Sequence, residues 1–243
     1  RNRYELLARS LEYAHKQNYQ NLEIIISNNN SSDKTFETLN ELKIQYPNLI
    51  IVNHKETLPL GEHWDTVINK YSTGEYILLI PDDDVLTDEN YIHDVVNLFQ
   101  KYNSIGIVFA KYTAVDSKDI ELFKYETIWN EFLEKEYLLS IYNNGKNRFI
   151  PHLTAFFSRD VYNKVGGFKC DYMSPDMYLW LKILLFADAG FINKDVANYM
   201  IHDNNLSKTR DPLIPYTDIK MIEEVRNLAI SNSLNTRIIN KSL

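Results

Sequence analysis

Apolar positions recur along this chain at two spacings, and the spacing changes segment by segment. In residues 4–17, Leu6, Leu7, Leu11 and Ala14 stand three or four apart, the period of a helix with one apolar face. Residues 22–26 form a short apolar run, read as a strand, and residues 27–33 form a polar loop of turn formers. Ser32 or Asp33 is suited to cap the next helix, which carries Phe36, Leu39 and Leu42 on one side. A second strand is predicted over 49–52, and Trp64, Val67 and Ile68 mark a helix closing near Gly74. The run 75–80 is apolar and holds β-branched residues, as a buried strand does. Ile92, Val95, Val96 and Phe99 then return to helical spacing before another strand at 105–109. Strands alternating with helices predict an α/β fold with a mostly parallel, wound central sheet flanked by helices.

Beyond about residue 115 the rhythm loosens. Residues 131–142 read as a helix, 153–157 as extended chain, and 159–165 as a short helix stopped by Gly166 and Gly167. An amphipathic helix is predicted after Pro175 from Met177, Leu181, Leu184 and Leu185, followed by a strand at 191–199. From Tyr216, the positions Ile219, Ile222, Val225 and Leu228 predict a helix laid over the body or leading elsewhere. The expected organisation is one domain over 1–210, its more regular part ending near 115, and a helical tail over 211–243.

Chemistry enters at the end of the apolar run, where Asp82, Asp83 and Asp84 follow one another. In open α/β sheets ligands bind at the carboxyl ends of strands. Adjacent carboxylates repel unless a cation lies among them, which points to a divalent metal. On this stretch alone a solvated acidic turn capping a helix near Asp88 stays open. Lys and Arg number 26 against 33 Asp and Glu, a net charge of -7, which argues against nucleic acid as the main partner. The single cysteine, Cys170, excludes an internal disulfide framework and fits a reducing compartment. No apolar run approaches the roughly 20 residues of a membrane span. No secretory signal opens the chain, and loose attachment to a membrane surface stays open.

The order of these parts resembles the family-2 inverting glycosyltransferases of GT-A fold, over essentially the whole chain to Ser207. Leu22-Glu-Ile-Ile-Ile-Ser-Asn-Asn-Asn-Ser-Ser-Asp-Lys-Thr35 is similar to that family's second strand and nucleotide loop. Gly61 through Gly74-Glu-Tyr76 resembles the lead into the metal strand, and Asp82-Asp-Asp84 stands at its Asp-x-Asp. Val165-Gly-Gly-Phe168 matches a turn of the acceptor half, and Pro175-Asp-Met-Tyr-Leu-Trp-Leu-Lys182 the helix that opens on the catalytic acid. Tyr199-Met-Ile-His202, with Ser207 after it, is similar to the closing histidine segment.

The resemblance implies a nucleotide-binding half over about 1–115 and an acceptor half over about 116–210. It implies Asp176 as general base, Asp84 and His202 around Mn2+ or Mg2+, Asp82 on the ribose or on that metal through water, and Asp83 orienting the sugar or its neighbours. Asn28, Asn29 and Asn30 would meet the base and ribose, and Asp65 and His63 would line the donor pocket. His152, Thr154 and Trp180, with Pro151, would meet the acceptor. The implied donor is a nucleotide sugar, UDP-linked above all, and the acceptor a hydroxyl of a glycan, a lipid-linked or a protein substrate. Three departures stand out. The family's opening strand is not seen before Arg1-Asn2-Arg3, so the chain is expected to be a fragment. Asn28 replaces an acid, and its amide suits uracil N3–H or cytosine N3. Met200 replaces a common arginine. Two other enzymes fit parts of the pattern: a haloacid-dehalogenase-type phosphatase with Asp82 as nucleophile, and a sugar-phosphate nucleotidyltransferase. An inactive nucleotide-sugar or glycan-binding module is the non-enzymatic alternative.

Overall fold

The computed structural model describes residues 4–32, 35–143, 150–168, 172, 174–203, 205, 214–232 and 234. Asp33, Cys170 and Ser207 lie outside the described residues. The first half runs α1 (Tyr4–His15), β1 (Ile25–Asn28), α2 (Thr35–Gln45), β2 (Ile50–Asn53), α3 (Leu60–Lys70), β3 (Tyr76–Leu78), β4 (Val85–Leu86), α4 (Tyr91–Lys101) and β5 (Ile105–Val115). The second runs β6 (Glu121–Lys124), β7 (Phe132–Leu133), α5 (Lys135–Asn143), a 3-10 turn (His152–Thr154), β8 (Phe156–Ser158), α6 (Arg159–Val165), α7 (Pro175–Phe186), β9 (Asp188–Met200) and α8 (Ile214–Ser231).

The fold is α/β, with a central mixed sheet between helices. Its strand order is β3-β8-β5-β9-β4, with β6 added to β5 and β7 to β9. β8 is antiparallel to both β3 and β5, and β9 is parallel to β5. The three strands β3, β5 and β9 therefore run in one direction, as the alternating pattern predicted. A separate parallel pair, β1 with β2, forms a two-stranded sheet in register from Ile25↔Ile50 to Asn28↔Asn53.

Side chains of β5 alternate between two cores, because successive residues of a strand point to opposite faces. Ile107 and Phe109 join Phe157, Leu179, Ile183, Leu184 and Phe191 on one face. Val108 and Ala110 meet Tyr91, Ile92, Val95 and Phe99 of α4 on the other. A third cluster, Leu11, Ile26, Leu39, Leu42 and Leu49, underlies the small sheet. Arg159 joins the ends of α3 and β8: its guanidinium donates to Gly74 O at 2.7 Å and Ile68 O at 3.2 Å.

Several elements differ from expectation. Strand β5 continues to Val115 because parallel pairing with β9 extends to Met200. The 131–142 helix begins only at Lys135, after β7 pairs with β9. Helix α7 is not amphipathic, since Leu179, Trp180, Lys182 and Ile183 are buried as well as Leu181, Leu184 and Leu185. Lys182 tolerates burial because its ammonium donates to Val165 O at 3.0 Å and to Gly167 O at 2.5 Å. In the tail helix Met221, Val225 and Ala229 face inward, while Ile219 is half exposed. Among the described residues, no helix is long and apolar enough to cross a membrane.

Candidate active site

A cleft of about 1310 Å3 opens between the small sheet and the large one, at the ends of β1 and β3. Its wall takes residues from both halves: Ser27, Asn28 and Asn29, His63 and Trp64, Asp82, Asp83 and Asp84, then His152, Asp176 and Trp180. The acidic strand end, the asparagine loop and the start of α7 thus converge on one space, although 148 residues separate Asn28 from Asp176 in the sequence.

Burial of the acidic triplet increases along its length. Asp82 lies partly open at the cleft, Asp83 is 7% exposed and Asp84 only 1%. Antiparallel pairing of β4 with β9 sets Asp84 beside Met200, whose N–H donates to Asp84 Oδ1 at 2.9 Å. The ring Nε2 of His202 lies 2.9 Å from Asp83 Oδ2. Asn205 secures this strand exit, donating from Nδ2 to Met200 O at 3.0 Å and accepting from His202 N–H.

Whether these groups suit a divalent metal follows from their partners. Among the described residues no three His, Cys, Asp or Glu side chains gather into a cage. Mg2+ and ions like it are habitually held by one or two carboxylates, with water and substrate phosphate completing the shell. Asp82 and Asp84 fit that habit. The Nε2 of His202 is turned to Asp83 instead. Asp83 in turn is bound to His202 rather than left to orient a sugar.

The asparagine loop is largely held by itself. Asn28 donates from Nδ2 to Asn53 Oδ1 at 3.1 Å and accepts from Ser31 N–H at 3.0 Å. Asn29 is joined twice to the Leu58 backbone, at 2.9 Å in each direction. Asn30 adopts φ 57, a left-handed conformation that asparagine tolerates better than most residues. Beside the loop, Ser27 Oγ lies 2.6 Å from His63 Nε2 and 3.1 Å from His54 Nε2. Burial, and secondarily His54, push the His63 pKa down to about 4, so a neutral imidazole lines the cleft at neutral pH.

Four residues expected at the site are absent from the wall: Asn30, His202, Asp65 and Thr154. Asp65 turns away from the cleft: its Oδ1 accepts from the Tyr162 hydroxyl at 2.5 Å and from Phe168 N–H at 3.1 Å. Asp65 therefore supports the Gly166–Gly167 turn instead of the donor. Thr154 is fully buried, with Oγ1 donating to Ala110 O at 3.1 Å and accepting from Ala110 N–H at 3.2 Å. It fastens the 3-10 turn to β5 and does not face an acceptor.

The glycine turn gives a direct test of this support. Gly167 has φ 65, and an added Cβ would overlap Asp65 Oδ1 and lie 2.8 Å from the Tyr162 hydroxyl. Gly167→Ala is expected to destabilise the protein by roughly 2–3 kcal/mol, from left-handed strain plus overpacking. Urea denaturation measures it; an unchanged midpoint would show that the turn is not constrained.

Asp176 is the second residue of α7, after Pro175, at the end where backbone N–H groups favour a carboxylate. Its side chain is 30% exposed, and Oδ2 lies 4.0 Å from His152 Nδ1. The His152 ring stacks on Trp64 with centroids 4.9 Å apart and planes at 17°. Trp180 lies one helical turn beyond Asp176, and its Nε1 is buried with no hydrogen-bond partner among the described residues. Pattern reading missed the aromatic wall of Tyr112, Tyr125, Tyr172 and Tyr199, which joins the cleft from four separate segments. No periodicity marks such residues.

The family model described as glycosyl transferase family 2 matches residues 1–166, more than half of the chain. The chain belongs to glycosyltransferase family 2. This family 2 chain is 24% identical over 204 residues to the processive diacylglycerol beta-glycosyltransferase of Mycoplasma genitalium, covering 80% of the chain and 59% of that protein. It is 23% identical over 220 residues to glycosyltransferase GlyG of Streptococcus pneumoniae serotype 4, covering 88% and 72%. Its fold is that of S. aureus TarS 1-349, solved with UDP-GlcNAc: TM-score 0.72 at 14% identity, over 93% of this chain and 63% of that one. It also matches the mannosyltransferase PcManGT of Pyrobaculum calidifontis, solved with GDP-Man and Mn2+, at TM-score 0.63 and 14% identity over 95% and 72%. The chain thus spans about three fifths of the length of the Mycoplasma protein and of TarS 1-349. These likenesses establish a GT-A glycosyltransferase fold.

Proposed function

We propose that this family 2 chain transfers a sugar from a nucleoside diphosphate sugar to an acceptor hydroxyl, inverting the anomeric centre, with Asp176 as general base. The observation that carries the reading is the convergence of Asp176 and the acidic strand end on one cleft. The acceptor oxygen loses its proton to Asp176 as it bonds to the anomeric carbon. The bond from that carbon to the diphosphate breaks on the opposite face, so no sugar–enzyme intermediate is needed.

Asp82 and Asp84 would hold Mn2+ or Mg2+. Such a cation supplies Lewis-acid neutralisation of the departing diphosphate. The paired Asp83 and His202 keep the strand exit in place behind those two carboxylates. Support for a UDP-sugar comes from Asn28: its oxygen keeps a lone pair beyond the Ser31 bond, suited to uracil N3–H. The solved TarS complex contains UDP-GlcNAc, which favours the same donor class. The reading places the chain in the cytoplasm, with a glycan, lipid-linked or protein acceptor presented at the inner membrane face.

Calorimetry with UDP, CDP and GDP, each with and without Mn2+, tests the donor side. Mn2+-dependent binding with UDP preferred is expected. Absence of metal-dependent binding for all three would overturn the reading.

A further inference from the structure

His152 has the geometry of a group that serves Asp176. Its 3-10 turn is fixed from below, since Thr154 bonds Ala110 in both directions and the Tyr91 hydroxyl donates to Thr154 O at 2.5 Å. Its ring plane is fixed from the sides, stacked on Trp64 and tilted against Trp180 at 6.3 Å. What remains undetermined by packing is which ring nitrogen carries the proton. Nδ1 is buried with no hydrogen-bond partner among the described residues, and Asp176 Oδ2 stands 4.0 Å from it. A bare lone pair aimed at a carboxylate is repelled, whereas an N–H aimed at it is attracted, so the carboxylate selects the tautomer.

We propose that His152 is a positioning residue held in the Nδ1–H tautomer, which donates to Asp176 Oδ2 and turns Oδ1 toward the acceptor hydroxyl. The assignment rests on Asp176 being the base. Burial lowers the His152 pKa and Asp176 only partly offsets this, so the ring works neutral, by direction rather than by charge. The present 4.0 Å is longer than a hydrogen bond, and hydrogen bonds to catalytic groups commonly shorten when substrate arrives.

The tautomer is read without any substrate. Long-range 1H–15N correlation of 15N-labelled protein at neutral pH distinguishes Nδ1–H from Nε2–H, with the His152 signals identified by their loss in His152→Gln. The Nδ1–H pattern is expected in the wild type, shifting toward Nε2–H in Asp176→Ala. An Nε2–H wild-type ring, or a pattern indifferent to Asp176→Ala, overturns the assignment.

Turnover gives a second readout, followed as UDP release from UDP-GlcNAc. His152→Phe keeps a ring against Trp64 but has no N–H, and should lose about tenfold in kcat with donor KM unchanged, the scale seen when an orienting partner is removed. His152→Asn, whose amide nitrogen falls near the place of Nδ1, should restore most of that loss, and His152→Gln should not. Equal loss in all three would mean a packing role only. If the wild type binds no nucleoside diphosphate, the proposed function fails whatever the tautomer; if it binds and the tautomer is Nε2–H, only the His152 assignment fails.

Discussion

Asp176→Asn should reduce sugar transfer by roughly 10^3-fold in kcat while leaving UDP affinity within about twofold, the scale lost with a positioned general base. The contrast follows from the placement of the side chain. Asp176 lines the cleft at the first turn of α7, while the helix is held by the burial of Leu179, Ile183 and Leu184 on its remaining sides. Asparagine has nearly the same volume and can still meet the N-terminal N–H groups, so the helix should not move. What it lacks is basicity: an amide oxygen will not take a proton from a hydroxyl at neutral pH. UDP release from UDP-GlcNAc, set beside calorimetry with UDP and Mn2+, separates the two effects. A variant with wild-type turnover would remove Asp176 from the chemistry, and one that lost UDP binding would give it a donor role instead.

Asp84→Asn should weaken Mn2+-dependent UDP binding by about 100-fold or more, at the upper end of what is lost when groups supporting a metal are removed. Folding stability should stay near that of the wild type. The carboxylate has two separable tasks: Oδ1 accepts from Met200 N–H at 2.9 Å, and its charge would hold a cation. Asparagine retains an acceptor for the first and abolishes the second. Asp84→Ala removes both and leaves a buried N–H without its partner, a destabilisation of about 1–3 kcal/mol. Treating the wild type with EDTA should bring its UDP affinity to the level of Asp84→Asn. Unchanged affinity in both experiments would detach the acidic strand end from the donor.

What the sequence disclosed and what it concealed divide along physical lines. An apolar strand ending in three carboxylates is a local signal, as is an acid just inside a helix begun by Pro175, and both reach the same cleft. Asp65 was misjudged because its partners, Tyr162 and Phe168, lie 97 and 103 residues away. Nothing near Asp65 in the chain announces that it is bound to a glycine turn. The burial of Lys182 was not legible because its carbonyl partners, Val165 and Gly167, come from a different element. The Asp83–His202 contact was not legible, since only the β4–β9 pairing brings the two within reach. Thr154 was expected at the acceptor from an extended stretch, yet the 3-10 turn drives it inward against Ala110. In each case local spacing was legible, and the partner across the fold was not.

The β1–β2 leaf bears on how the two banks of the cleft are joined. Two strands alone make a weak unit in water, and among the described residues this one shares no ladder with the seven-stranded sheet. Side-chain ties such as Glu23 to Thr73, at 2.9 Å, connect it to the approach of β3. The leaf bearing Asn28 thus meets the large sheet through such ties, with Gln17 Nε2 donating to Asp88 O at 2.8 Å among them, and a guest that grips both banks would add a strut across the rim.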